Sequence, residues 1–488
     1  MSTILSKRGY KVIKKNFSPT KLNKVRKDLS VKPFTAFKTG PYDNTKPFNV
    51  YYENHKKLYL PKHYAIKEFG PPEIVDFATG GDIDLQFNGS MRSEQSLVVN
   101  KYMDSLPEKG GGLISLPCGA GKTVIALNII SLIKKKTIIL VHKDFLMNQW
   151  YDRIKQFLPK ARIGKIQQNT TDVEDKDIVL AMVQSISMKD YDMSIFDEFG
   201  LAVFDECHHL GAEVFSKSLL KVNSKYMLGL SATPKRKDGL SKVFEWFIGE
   251  MVYCKKERDE DNVLVEIHKY YDESPDYSEE IYTVTKNLCM PRMINNICAY
   301  PPRHNMIYDL LKENVAEGRD ILILSDRREH LKTIYEYVTD NGMGTIGYYV
   351  GGMKPADLRE TTTKQIILGT FSMAAEGMDI PKLNTIILGS PKSDIIQSVG
   401  RILRQKPEDR KHIPKIIDIC DDFSAFSKQA LKRQAYYRKC KYSIQIISTD
   451  GEIENVEYKK KDKSKGKCKK NPIVIDFSKT DEYLIDDD

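Results

Sequence analysis

"GLISLPCGAGKTVIALNII", residues 112–130, joins a short β-rich apolar run to a glycine turn and then to a long apolar helical stretch. A glycine-rich turn between strand and helix can wrap its backbone N–H groups around phosphate oxygens, and the helix N-terminus adds a favourable dipole. On this reading the loop is Leu116, Pro117, Cys118, Gly119, Ala120 and Gly121. Lys122 reaches the β and γ phosphates, and the Thr123 hydroxyl takes one position on Mg²⁺. The strict spacing GxxxxGK[ST] is not met, because Leu116 stands where its first glycine belongs. The order strand, loop, apolar helix carries the assignment instead.

A phosphate loop needs a partner acid at the end of a neighbouring strand. "LAVFDECHHLG", residues 201–211, supplies one, although the stretch alone also reads as a metal cluster or an acid/base pair. Successive strand side chains point to opposite faces, so Asp205 and Glu206 share a site only where the strand stops and the backbone turns. Asp205 then holds the Mg²⁺ shell, while Glu206 orients and deprotonates the attacking water. Zinc on Cys207, His208 and His209 is disfavoured, since zinc sites use spaced pairs and no second pair follows.

Apolar runs of the same kind recur outward from the loop. "KTIILVH" (136–142), "DIVLAMV" (177–183), "LAVFDE" (201–206) and "YMLGLSAT" (226–233) form one series with "GLISL" (112–116). "RDILILSD" (319–326), "TIGYYVG" (345–351), "KQIILGT" (364–370), "NTIILGS" (384–390) and "KIIDICD" (415–421) form a second. Runs so uniformly apolar suit strands covered on both faces, so two parallel α/β sheets are expected. The implied domains are an accessory domain at 1–88, a candidate for nucleic-acid binding, α/β domains at 89–255 and 301–445, a connector or small insertion at 256–300, and a charged, disordered tail at 446–488.

The 488 residues, 41% hydrophobic and 29% charged, fit a globular protein of two to four domains. No apolar run approaches the roughly 18 residues that span a bilayer, and the N-terminus lacks a signal-peptide core. Eight scattered cysteines without CxxC spacing point to reduced thiols, hence an intracellular protein of cytoplasm or nucleus. The net charge of +10 gathers at the ends: residues 1–32 carry +9, and "KKKDKSKGKCKK" (459–470) carries +7. Nucleic acid is the partner such ends imply, and no membrane is.

"LPCGAGKT", "DECH", "LGLSATPKRKDGL", "AAEGMDIP" and "QSVGRILRQ" stand in the order that superfamily 2 DNA/RNA helicases and translocases show, and over roughly residues 88–440 the chain resembles that family. It is most similar to the DExH branch that includes XPB, the phage helicase UvsW and the poxvirus transcript-release helicase. The resemblance implies two tandem RecA-like domains, ATP and Mg²⁺ as cofactors, and movement along or unwinding of nucleic acid. It implies that Gln95 reads adenine with Arg92 nearby, that Gln184 and Ser185 touch the sugar-phosphate chain, and that Ser231 and Thr233 couple hydrolysis to movement through His208. Arg236, Lys237 and Asp238 stand where XPB-like proteins have Arg-Glu-Asp, with Lys237 replacing the acid. In the second half, Arg327 and Thr370 would contact the strand, Gly377 and Asp379 would approach the ribose, and Gln397, Arg401 and Arg404 would share a helical face. The two arginines would act as fingers on the γ phosphate.

The resemblance favours DNA over RNA as substrate, partners from transcription, repair or replication, and a viral or phage source. An alternative is the motor subunit of a restriction or nuclease complex; neither residues 1–88 nor 446–488 hold a nuclease carboxylate cluster, so cleavage would come from a partner. A non-catalytic scaffold is disfavoured by Lys122, Asp205, Glu206 and Arg404 all being present.

Overall fold

The computed structural model describes residues 2–34, 46–77, 79–117, 119–208, 213–232, 238–255, 262–405, 407–448 and 450–456. The chain falls into two compact units, one running to Lys256 and the other from Glu257 to Lys463.

The first unit opens with seven short strands: β1 (Thr3–Ser6), β2 (Gly9–Ile13), β3 (Ser30–Val31), β4 (Phe48–Asn49), β5 (Tyr52–Glu53), β6 (Lys57–Leu60) and β7 (Ile74–Asp76). Five of them form a sheet in the order β5-β6-β2-β1-β7, antiparallel except for the β1–β7 pair, while β3 pairs with β4. Leu5, Tyr10, Val12, Leu58 and Leu60 alternate onto one buried face, where Leu22, Val25 and Ala65 of helices Pro19–Asp28 and Lys62–Phe69 join them. That core continues without a break into Ile138, Leu140 and Phe204 of the next sheet. At the seam, Gly80 has φ +72, and a Cβ there would lie 2.2 Å from the Gly200 nitrogen.

The second sheet of this unit contains β8 (Gly111–Ser115), β9 (Thr137–Val141), β10 (Ile163–Gln167), β11 (Thr170–Asp172), β12 (Ile178–Met182), β13 (Leu201–Phe204), β14 (Tyr226–Ser231) and β15 (Met251–Cys254). Its order is β11-β10-β12-β9-β13-β14-β8-β15, with every pair parallel except β10–β11. Strands β8, β9, β12 and β13 are buried along their whole length, which is why their sequences show no polar alternation.

The second unit repeats this plan with β16 (Leu264–Tyr270), β17 (Ile321–Leu324), β18 (Ile346–Tyr349), β19 (Ile366–Gly369), β20 (Thr385–Leu388), β21 (Lys415–Asp421), β22 (Ser443–Ile447) and β23 (Ile453–Asn455). The order is β18-β19-β17-β20-β21-β16-β22-β23, parallel except for β22–β23. Two tandem, mostly parallel sheets are therefore present, as expected. Residues 256–300, however, are more than a connector: β16 lies inside the sheet between β21 and β22. Its sequence "LVEIHKY" hides this because Glu266 and His268 look like surface residues. Across the strands Glu266 meets Lys415 at 3.1 Å, and Val265 and Ile267 fill the core. The sheet also runs past residue 445, through β22 and β23 to Asn455. Buried ion pairs brace the unit: Arg303 with Asp421 at 2.7 Å and Arg433 with Asp418 at 2.7 Å.

Candidate active site

The glycine loop follows β8 and opens helix Lys122–Ile133, with Gly119 at φ +80 and Gly121 at φ +85. Side chains other than glycine rarely adopt that conformation. Gly121 is also constrained by contact, since a Cβ would lie 2.3 Å from Gln95 Nε2. Gln95 holds the loop from outside: its Nε2 donates to Ala120 O at 3.1 Å, and its Oε1 accepts from Arg92 N at 3.0 Å. Leu116 is buried and ties the loop to the sheet, its N–H donating to Ser231 O at 3.1 Å. Pro117 O accepts from Ala120 N at 3.3 Å, and Thr123 lies in the first helical turn. Cys118 lies outside the described residues.

Strand β13 ends at Phe204, and Glu206 takes φ +44, so the backbone turns where the acid pair sits. Such a conformation in a residue with a side chain persists only where its surroundings enforce it. Lys122 Nζ lies 3.4 Å from Glu206 Oε1, while His208 Nδ1 lies 3.4 Å from Glu206 Oε2 and 2.9 Å from Ser231 Oγ. Strand order explains the meeting: β14 runs between β13 and β8, so its last residue, Ser231, lies between loop and acids. Asp205 Oδ2 accepts from the Trp150 indole N–H at 2.8 Å, and Oδ1 accepts from Glu206 N at 3.0 Å. Burial pushes the Asp205 carboxyl above the usual carboxylate range, and the Glu206 charge adds to the push. Cys207 is buried, and burial beside two acids holds its thiol well above the usual range.

Sequence reasoning missed two roles here. Trp150, the last residue of "FLMNQW" (145–150), donates its ring N–H to Asp205 from 55 residues upstream. Gln95 was assigned to adenine, and its amide also braces the phosphate loop. The only signal for Trp150 was its rarity, one of two tryptophans in the chain.

Gln184 and Ser185 lie in helix Val183–Met188, just after β12 and on the same edge of the sheet. Gln184 Nε2 donates to His142 O at 2.6 Å, and Ser185 Oγ accepts from Gln168 N at 2.9 Å. His209, Thr233, Arg236 and Lys237 lie outside the described residues, as does residues 459–470 of the basic tail.

In the second unit, Thr370 precedes helix Phe371–Gly377 and shares a 3.2 Å hydrogen bond with Ser372. Arg404 meets Asp379 at 3.3 Å. Arg401 is buried, donating to Met378 O at 2.8 Å and also to Ala374 O. Gln397 is half-buried in helix Ile396–Val399, which tightens into a 3₁₀ turn over Gly400–Leu403. The regular helical face expected for Gln397, Arg401 and Arg404 is thus interrupted. Arg327 precedes helix Arg328–Asp340, and its Nη2 donates to Pro291 O at 3.1 Å.

A glycine loop and an acid pair converge at the carboxyl edge of one parallel sheet, and a second sheet of similar build follows in the chain: the class is that of motors that hydrolyse a nucleoside triphosphate. Residues 88–236 match the family described as Type III restriction enzyme, res subunit, and residues 303–406 match the Helicase conserved C-terminal domain. A protein of Acanthamoeba polyphaga mimivirus, provisionally named ATP-dependent RNA helicase L396, is 35% identical over 91% of this chain and 87% of its own. Helicase D10 of Escherichia phage T5, also a provisional name, is 27% identical over 75% of this chain and 79% of its own. The crystal structure of T4 UvsW aligns over 92% of this chain and 100% of its own, at 17% identity and a TM-score of 0.37. The chain belongs to the superfamily 2 helicases. It is an ATP-dependent, nucleic-acid-binding helicase.

Proposed function

We propose that Glu206 is the base of an ATP-driven translocase acting on DNA, and that Lys122 switches its state. The observation that carries this reading is the split environment of one carboxylate: Oε1 faces Lys122 at 3.4 Å and Oε2 faces His208 at 3.4 Å. A triphosphate entering the loop would draw Lys122 onto its β and γ oxygens, releasing Oε1 to accept the proton of an attacking water. On the other side, His208 would pass the change to Ser231, and from there to Thr233 and the strand-contacting residues.

Two protein oxygens suit Mg²⁺, which keeps several waters and needs few protein ligands. Thr123 and Asp205 would hold it, and it would supply neutralising charge to the phosphates. Arg92 and Gln95 would face adenine, Gly377 and Asp379 the ribose, and Arg401, Arg404 and Gln397 the γ phosphate. Gln184, Ser185, Arg236, Arg327 and Thr370 would follow the nucleic-acid backbone.

DNA is favoured by the resemblance to the XPB and UvsW branch; RNA is a second reading, favoured by the provisional name of the mimivirus relative. ATPase stimulation by single-stranded, duplex and branched DNA against RNA, at one salt concentration, separates them. The description of the first matching family keeps a restriction-complex motor open, which a co-purifying nuclease or methylase subunit would support. The relatives are viral and phage proteins, which supports action inside a host cell. The central test is Glu206→Gln, expected to bind ATP and lose turnover; retained turnover refutes the assignment.

A further inference from the structure

One face of the N-terminal sheet packs on its helices, and the other presents an ordered row. Register places Tyr52 opposite Tyr59, Tyr59 opposite Lys11, and Lys11 opposite Ile4. Ile13 opposite Lys57 makes a second, shorter row beside it. Tyr52 is 50% exposed, while Tyr59, Lys11 and Lys57 are half-buried, and the residues alternating with them on β2 and β6 are buried. Directly opposed side chains in such a pair stand about 5 Å apart at Cβ. The two tyrosines therefore stand side by side on the row, with Lys11 across from Tyr59 and Lys57 two residues along its strand.

These groups differ from others nearby. Lys14 meets Glu53 at 2.6 Å, Arg26 meets Glu53 at 3.0 Å and Lys24 meets Glu68 at 3.0 Å. Among the described residues, Lys11 and Lys57 have no acidic partner, and neither ring of Tyr52 and Tyr59 has an aromatic or cationic one. Outward tyrosines are ordinary strand formers. Two on one row, flanked by two uncompensated cations, in a chain whose first 32 residues carry +9, make a different surface. Aromatic faces on a basic sheet are what unpaired bases stack on, because every base offers a π-face and the backbone offers phosphates.

We infer that the outer face of this sheet is a stacking platform for single-stranded nucleic acid: Tyr52 and Tyr59 each take a base, and Lys11 and Lys57 take the flanking phosphates. This rests on the nucleic-acid-binding reading and adds a site outside the ATP-hydrolysing sheets. It would hold a separated strand by its bases while the motor sheets track backbone.

The test is fluorescence anisotropy with the full chain, without nucleotide, on 15-residue oligothymidylate, oligouridylate and an abasic strand of equal length. Tyr52→Ala with Tyr59→Ala should weaken the two base-bearing strands on the order of tenfold or more, and change the abasic strand less than twofold. Tyr52→Phe with Tyr59→Phe should restore binding, which separates stacking from loss of fold. Lys11→Ala with Lys57→Ala should weaken all three strands and reduce the salt slope by roughly 1.4. A loss seen with thymidylate alone or uridylate alone assigns the platform to DNA or RNA. Binding by the alanine pair within twofold of wild type, or phenylalanines that fail like alanines, overturns the platform alone. Unchanged binding with a shift in oligomeric state assigns the face to a second copy and also overturns it. Wild-type protein that binds none of the strands overturns the shared reading.

Discussion

Replacing Trp150 by phenylalanine takes one donor from the site while keeping most of the aromatic packing. Trp150 is 1% exposed, and its indole N–H lies 2.8 Å from Asp205 Oδ2. Asp205 Oδ1 keeps its own contact with Glu206 N at 3.0 Å, so the substitution orphans one oxygen of a part-buried carboxylate. A hydrogen bond to a charged group contributes about 1.5–3 kcal/mol. At about 1.4 kcal/mol per tenfold, that corresponds to roughly a 10- to 150-fold loss wherever Asp205 must be ionised and correctly turned. We expect kcat/KM for ATP to fall by this factor with saturating polynucleotide, and the Mg²⁺ concentration for half-maximal rate to rise. The smaller ring also leaves a void, with a stability loss of about 1–3 kcal/mol, so a melting curve must accompany the kinetics. A folded W150F protein with kcat/KM within twofold of wild type would refute the anchoring role.

Ser231→Ala removes the hydroxyl 2.9 Å from His208 Nδ1 and should reduce strand displacement per ATP by about fivefold, the worth of a neutral hydrogen bond; displacement and hydrolysis falling in parallel would sink the coupling role. Asp418→Asn leaves Arg433 buried without its counter-charge and takes an acceptor from Tyr437, so the second unit should lose about 3–5 kcal/mol in denaturant melts. A loss below about 1 kcal/mol would contradict the pairing. His63 is pushed down to about 3 by burial first and by Lys62 beside it. The unfolded chain therefore takes up this proton before the folded one, so stability is full above pH 6.5 and falls as pH drops below it. His63→Leu should flatten the wild-type loss between pH 6.5 and 5 by about 1–2 kcal/mol; parallel pH profiles for the two proteins would exclude His63.

Local pattern carried much of the site. The glycines at 119 and 121 meet a backbone that needs φ above zero. The expectation that the acids coincide where a strand stops matches β13 ending at Phe204 and Glu206 turning the chain. Both follow from rules that act within a few residues. Strand β16 was hidden for the opposite reason. Glu266 and His268 look exposed in sequence, and only the strand beside them supplies Lys415.

The same division separates Trp150 and Arg401 from the phosphate loop. Nothing in "FLMNQW" says that its indole will donate to an acid two elements later, because that depends on β9 lying beside β13. Nothing in "QSVGRILR" says that Arg401 donates to the carbonyls of Ala374 and Met378, which depends on where helix Phe371–Gly377 packs. The sequence by itself determined two parallel sheets, the glycine turn at 119–121 and the place of the acid pair at a strand end, since apolar runs and glycine spacing state backbone requirements directly. Tertiary structure decided which polar side chains meet, since each such pairing is chosen by strand order and by burial, where an unpaired polar group costs several kcal/mol.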